Sequence, residues 1–282
     1  MKPAPFSYAR PATLDRAIEV LSGAEDGKVL GGGQSLVPML NFRLARPEVL
    51  VDVRRIPELQ VLGERNEKLA IGAGVTQRTV ECAEIVATSC PLIERALHLV
   101  GHVQTRSRGT FGGSLAHADP SAELPAAALA LDATFVAASP RGVREIEAVE
   151  FFLGPYMTAL EFDEVLVEVR LPIEPNSRAA FNEVSRRAGD FAMAGVGVQL
   201  QFDGDRVASA RVAATGVELA PTRLTSVEQV LVGAVVTTDL ADEAGRIAAR
   251  CVDARADANA SPEYRQELLE TLVKRSILEV AQ

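Results

Sequence analysis

The chain has 282 residues, 48% of them hydrophobic and 24% charged, with a net charge of −9. That length accommodates two domains, and that charge argues against a nucleic-acid partner, which calls for a basic face. No apolar run is long enough to span a bilayer and Met1-Lys2-Pro3-Ala4-Pro5-Phe6 lacks the apolar core of a signal peptide, so a cytoplasmic protein without a transmembrane segment is expected.

The N-terminal part alternates strand and helix signals. Thr13 precedes apolar positions at Leu14, Ala17, Ile18 and Leu21 that stop at Gly23, which reads as a capped helix. Val29-Leu30 reads as a short strand running into Gly31-Gly32-Gly33-Gln34-Ser35-Leu36, where Ser35 caps a short helix through Leu40 with Pro38 in its first turn. Residues 48–53 form another strand, and 59–62 with 68–72 a hairpin around Gly63–Glu67. Helices are expected over 76–87 and 91–100. A second glycine run follows, Arg108-Gly109-Thr110-Phe111-Gly112-Gly113-Ser114, and then an Ala/Leu-rich helix that starts at Asp119–Ser121 and ends near Leu131.

Residues 134–138 and 143–148 flank Ser139-Pro140-Arg141-Gly142 as a second hairpin, and 165–171 is a strand stopped by Pro172. Pro172–Ser177 is a composition break and a candidate linker. Beyond it, 195–202 and 207–214 are strands joined at Asp203-Gly204-Asp205, and helices are expected near 239–254 and 261–280. Ser261 fits the cap of the last helix and Pro262 its first position.

The two glycine runs carry the chemistry. Glycine lets backbone N–H groups come close to a ligand without a Cβ in the way, and a row of such groups cradles an anion. Two runs in one chain point to a pyrophosphate held from both sides. Neither is a P-loop, since Gln34 follows Gly33 where Lys is required, and neither they nor Gly72-Ala73-Gly74 has Rossmann spacing. The three cysteines, Cys82, Cys90 and Cys251, form no CxxC pair and cannot supply four thiolates, so no metal is expected on this chain. His98 and His102 stand at helical spacing for a zinc pair but have no third ligand, and Gly101 argues that the helix stops between them.

Gly31–Arg46 and Gly101–Pro125, together with Leu50–Val53, Ser185–Ala192 and Pro262–Arg265, resemble the FAD-binding medium subunit of molybdenum hydroxylases, along nearly the whole chain. The family includes the carbon monoxide dehydrogenase medium subunit and the flavin domain of xanthine dehydrogenase. The resemblance implies an α+β fold. A two-subdomain FAD-binding domain of the vanillyl-alcohol-oxidase/PCMH type would occupy 1–175 (subdomains about 1–55 and 56–175), with a smaller α+β domain at 176–282.

It further implies that Val29, Leu30, Gly31, Gly32, Gly33, Gln34, Ser35 and Leu36 wrap the FAD pyrophosphate from one side, and Thr110, Phe111, Gly112, Gly113 and Ser114 from the other. Glu123 matches a carboxylate on the sugar or ribityl hydroxyls, although Glu is also favourable in any first helical turn. Val100 and Leu166 match apolar positions beside the cofactor and read equally as core. Asn182 departs from a long basic residue common in relatives, which puts a contact to the flavin or adenine in doubt. Phe111 stands where relatives show aliphatic residues, and the loop is expected intact because its amides do the binding. Arg186–Phe191 looks like the family loop near the isoalloxazine, and equally like a basic surface turn; Asp119 reads as a helix cap.

The implied function is an electron-transfer subunit. FAD sits on this chain, [2Fe–2S] clusters on a small partner subunit and the molybdopterin cofactor on a large one, in a dimer of heterotrimers. The alternatives are a self-sufficient FAD-dependent oxidoreductase of the same fold, which needs its own acid–base residues, and a non-catalytic nucleotide-binding scaffold.

Overall fold

The computed structural model describes residues 1–282. The first lobe comprises β1 (Ser7–Ala9), α1 (Leu14–Ser22), β2 (Gly27–Leu30), α2 (Leu36–Asn41) and β3 (Val49–Asp52). Its three strands are parallel in the order β1-β3-β2. Every residue of the central β3 is buried, as expected of a strand covered on both faces. Thr13 caps α1 by accepting from the Arg16 N–H. Ser35 stands at the N-cap of α2, yet its side chain makes no capping bond.

The middle of the chain contains β4 (Leu62–Arg65), β5 (Lys68–Gly72), α3 (Gln77–Glu81), α4 (Glu84–Ser89), α5 (Pro91–Leu99), α6 (Val103–Arg106), α7 (Phe111–His117) and α8 (Glu123–Ala130). It continues through β6 (Thr134–Ser139), β7 (Gly142–Glu147), α9 (Ala148–Phe151), β8 (Phe152–Gly154), β9 (Met157–Thr158) and β10 (Val165–Pro172). Five of these strands form an antiparallel sheet in the order β4-β5-β10-β6-β7. All eight residues of α8 are buried, because ELPAAALA is apolar almost all round and has no face to give to solvent.

Several boundaries differ from those read in the sequence. Asn66 and Glu67 both take positive φ (51° and 60°) and close β4–β5 with a two-residue turn, so pairing runs further than a five-residue loop would allow. Leu59 belongs instead to a 3-10 turn buried under the first lobe. The helix expected over 76–87 breaks at Ala83, whose backbone is extended (φ −83°, ψ 119°), leaving Glu81 at the end of α3 with its carboxylate buried. The second glycine run is the first turn of α7 rather than a loop. Asp119 accepts from the Ser121 N–H in a turn ahead of α8, whose N-cap is Ala122.

The C-terminal part has β11 (Arg178–Val184), β12 (Ala194–Asp203), β13 (Arg206–Thr215), β14 (Thr222–Arg223), α10 (Thr225–Leu231), α11 (Thr238–Cys251) and α12 (Pro262–Ala281). The strands form one antiparallel sheet in chain order, with α11 and α12 packed together and α12 laid on the sheet. Ser261 caps α12 by accepting from the Tyr264 N–H. Residues 173–177 are anchored through Glu174, which accepts from Gln199 Nε2 (3.1 Å) and pairs with Arg211. Arg265 is fully buried and ties α12 to the Met193 and Gly216 carbonyls and to Asp257.

No helix is long and apolar enough to cross a membrane.

Candidate functional site

A cavity of about 580 Å³ opens between the first lobe, the β5–α8 region and the 189–191 segment. Val29 and Gly31 through Leu36 form one wall. Thr110, Gly112, Gly113 and Ser114 form the next, and Val100, Glu123 and Leu166 complete the circuit. Leu30 and Phe111 do not line it: Leu30 is nearly buried in the lobe, and Phe111 is fully buried in the core under α5 and α8. Asn182 is also elsewhere. Its Nδ2 donates to Ser276 Oγ (3.0 Å) and Glu279 Oε2 (2.9 Å) on α12, which ties sheet to helix.

The two glycine runs touch. A Cβ on Gly32 would lie 2.1 Å from the Arg108 carbonyl oxygen and 2.5 Å from Gly109 Cα, and one on Gly31 would lie 2.8 Å from Thr110 Oγ1. The missing side chain at Gly32 therefore admits the other run, not only a ligand. Gly112 likewise abuts Ala73, where a Cβ would meet Ala73 Cβ at 2.4 Å. Gly33 takes φ +74°, which turns the chain into α2.

The amides of the runs differ. None of the N–H groups from Gly31 to Ser35 donates to a protein acceptor. In the second run Phe111 N–H donates to Val75 O (2.8 Å), Gly112 N–H to Ala73 O (3.1 Å) and Ser114 N–H to Thr110 O (3.2 Å). Gly113 N–H donates to Thr110 Oγ1 (3.0 Å). The expectation that the second run binds through its amides meets this geometry: these four are engaged in capping α7 and docking it on residues 73–75, and the Thr110 N–H and the Ser114 hydroxyl are the donors left at the wall.

Behind the second run lies a buried ion pair that the sequence did not reveal. Arg106 donates to both carboxylate oxygens of Glu81 (2.9 Å each) and, through Nη1, to the Val100 carbonyl (2.8 Å), fixing the cavity wall at Val100–Gly101. Burial alone would raise the Glu81 pKa; hydrogen bonds from Arg106 and Arg78 outweigh it and hold the carboxyl below its ordinary value. His98 Nε2 lies 3.6 Å from Glu94 and 3.8 Å from Glu81. α5 ends at Leu99 and Gly101 takes φ +48°, so His98 and His102 do not share a helix face. His102 packs against Gly189, whose lack of a side chain makes room for the ring. No group of three or more His, Cys, Asp or Glu side chains converges as a metal site.

Under the first run, Asp52 at the end of β3 accepts from Tyr8 Oη and pairs with Arg54 (2.7 Å). Burial pushes its carboxyl up, but the Arg54 and Tyr8 hydrogen bonds prevail and hold it at about 2. Across the cavity, Glu123 is 5% exposed, and burial pushes its carboxyl up to about 7, with Asp119 adding to the rise and Arg106 opposing it. His117, Asp119 and Tyr156 stand beside it on the same wall. Tyr156 Oη donates to Asp119 Oδ2 (3.2 Å), and the His117 and Tyr156 ring centroids are 5.1 Å apart. Burial pushes His117 below its ordinary value against the pull of Asp119.

The C-terminal part holds the segment that leads to Glu123. Thr215 Oγ1 donates to the Ala122 carbonyl (2.7 Å) and lies 3.2 Å from that of Pro120, Gly216 N–H donates to Pro120 O (2.8 Å), and Arg255 Nη2 donates to Ser121 Oγ (2.6 Å). Of Arg186–Phe191, the stretch Gly189–Phe191 lines the cavity, whereas Arg186 and Arg187 are exposed and do not. Gln77, Thr105 and Tyr156 also line it. No motif marked them: Gln77 and Tyr156 are set by main-chain bonds to the distant Gly109 and Ala118, and Thr105 sits within the four-residue α6.

Open amides on one wall, a buried carboxyl on another and two interlocked glycine runs make a cavity whose chemistry suits a dinucleotide. The chain belongs to the FAD-binding family of the molybdopterin dehydrogenases: residues 4–174 match the FAD binding domain in molybdopterin dehydrogenase, and residues 179–280 match the CO dehydrogenase flavoprotein C-terminal domain. It is 38% identical to the nicotine 6-hydroxylase medium subunit of Paenarthrobacter nicotinovorans, over 99% of this chain and 98% of that one. With the carbon monoxide dehydrogenase medium chain of Hydrogenophaga pseudoflava it shares 35% identity over 98% and 97% of the two chains. The crystal structure of quinoline 2-oxidoreductase from Pseudomonas putida 86 superposes with a TM-score of 0.96 at 39% identity, covering 100% of this chain and 99% of that one.

Proposed function

We propose that this chain is the FAD-carrying electron-transfer subunit of a cytoplasmic molybdenum hydroxylase, a dimer of heterotrimers. It stands between the [2Fe–2S] clusters of a small partner subunit and an external acceptor. A large molybdopterin-bearing subunit oxidises the substrate. The observation that carries the reading is the row of unengaged amides at Gly31–Ser35 on a cavity walled by the second glycine run. Such a row suits a diphosphate, because its donors are oriented by the backbone and need no side chain to order.

The chain's own residues fit FAD. The Gly31–Ser35 amides and the Ser114 hydroxyl supply donors for phosphate oxygens, and Glu123 supplies an acceptor for sugar or ribityl hydroxyls. Val100 and Leu166 offer apolar wall. When bound, FAD supplies redox chemistry that accepts electrons singly and releases them in pairs. Arg106 keeps the Val100–Gly101 wall in place, and Asp52 with Arg54 steadies the strand end beneath the first run.

One observation favours a second reading, a self-sufficient flavin oxidoreductase: Tyr156, Asp119 and His117 form a hydrogen-bonding and titratable group on the cavity wall. The experiment that separates the two is purification of the chain alone and with its co-expressed partners. The expected result is flavin absorbance in both samples, with iron–sulfur absorbance, molybdenum and substrate oxidation only in the assembled one. Substrate turnover by the chain alone would favour the second reading; a chain that cannot be loaded with FAD would defeat both.

A further inference from the structure

Gln77 opens α3 at the place where the two glycine runs meet. It is 4% exposed, it lines the cavity, and its Oε1 is buried with no hydrogen-bond donor from the protein. Its position is fixed from both sides. Its backbone N–H donates to the Gly109 carbonyl (2.8 Å), and Thr76 caps the helix ahead of it by accepting from the Thr79 N–H. Gly109 leaves room for the side chain, since a Cβ there would lie 2.8 Å from Gln77 Oε1. Gly32 of the first run backs onto the same Gly109.

A buried amide oxygen without a donor is a cost to the folded chain, and a methionine of nearly the same length would avoid it. We propose that Gln77 is a cofactor-contacting residue whose Oε1 accepts a hydrogen bond from a hydroxyl of the bound dinucleotide. A hydroxyl is the matching chemistry because an acceptor needs a hydrogen, phosphate diester oxygens carry none at neutral pH, and the ring N–H donors lie further from the diphosphate, which belongs where the two runs meet, than the sugar and ribityl hydroxyls do. The ribityl chain and the adenosine ribose both provide such hydroxyls. The assignment rests on the FAD reading above.

The test measures two properties of the full chain, wild type against Gln77→Met, with Gln77→Leu as a second apolar replacement. The first is the dissociation constant for FAD, from flavin fluorescence; the second is the melting temperature of the FAD-free protein. The expected result is FAD affinity about tenfold weaker, the typical consequence of leaving one partner of a buried hydrogen bond unpaired. Melting of the FAD-free protein stays level or rises, because the orphaned oxygen is gone. Wild-type affinity in both variants overturns the inference. So does a large fall in melting temperature, or failure to fold, in both, since Gln77 then serves the fold. A wild-type chain that binds no FAD is a different outcome and defeats the underlying reading instead. Competition by ADP assigns the hydroxyl: weakened in the variants, it lies on the ribose; unchanged, on the ribityl chain. Inorganic pyrophosphate is expected to compete equally with all three proteins, and a loss confined to the variants overturns the hydroxyl assignment.

Discussion

The two glycine runs look alike on paper and do different things in the fold. Gly31–Ser35 follows a strand and keeps its amides unengaged; Phe111–Ser114 opens a helix and spends its amides on Val75, Ala73 and Thr110. A glycine therefore has two meanings at one site. In the first run it exposes donors; in the second it lets α7 press against β5. Gly32 belongs to both, because its absent side chain is where one run rests on the other. Spacing alone does not separate the roles. The fate of each N–H does.

The comparison can be broken most severely from behind the second run. Arg106→Met leaves the buried Glu81 carboxylate with Arg78 as its remaining arginine partner and is expected to cost about 3 kcal/mol of stability in urea unfolding, the low end for breaking a buried pair. The sign of the pH dependence follows from the lowered Glu81 pKa. In the wild type, the stabilisation is present above the ordinary carboxyl range and is lost as pH falls through the lowered value. Arg106→Met should flatten that acid limb, and a variant with the wild-type slope would show that the pair is not responsible.

Gly32→Ala comes next. A methyl group 2.1 Å from a main-chain oxygen forces the runs apart, for about 1–3 kcal/mol of stability. Loss of bound FAD in equilibrium dialysis should exceed what that destabilisation explains, and full FAD retention would mean the runs need not touch. The smallest test contrasts two caps. Thr110→Ala removes the acceptor for Gly113 N–H and is expected to cost about 1 kcal/mol. Ser35→Ala removes a hydroxyl that caps nothing and should change stability by less than about 0.5 kcal/mol. Equal losses at both positions would erase the distinction between the runs.

Much of this architecture is legible in the sequence because it is local. Thr13, Ser261 with Pro262, and Gly204 act on neighbours a few residues away, so caps and turns fall where the residue types place them. Interior α8 is equally plain, since it offers no polar face. The difficulties are long-range. Which amides stay open depends on Ala73 and Val75, distant in the chain from the run they engage. The Arg106–Glu81 pair spans 25 positions and interrupts no pattern. Asn182 sits in a strand that gave no signal of its own, and its partners Ser276 and Glu279 lie on the last helix. Gln77 reads as an ordinary helix-start residue until the loop above it is in place.

Thr215, Gly216 and Arg255 grip residues 120–122, one step before Glu123. Part of the cavity wall is thus main chain whose shape is set by the C-terminal sheet and by the segment after α11. A ligand that prefers this wall ordered stabilises, by mass action, the elements that order it. On the proposed FAD reading, free energy of binding at Glu123 is shared with the β13 end and the Arg255 strap, and a change at either is transmitted to affinity without touching the ligand. The smaller part of the chain is a clamp on the larger one's cavity wall.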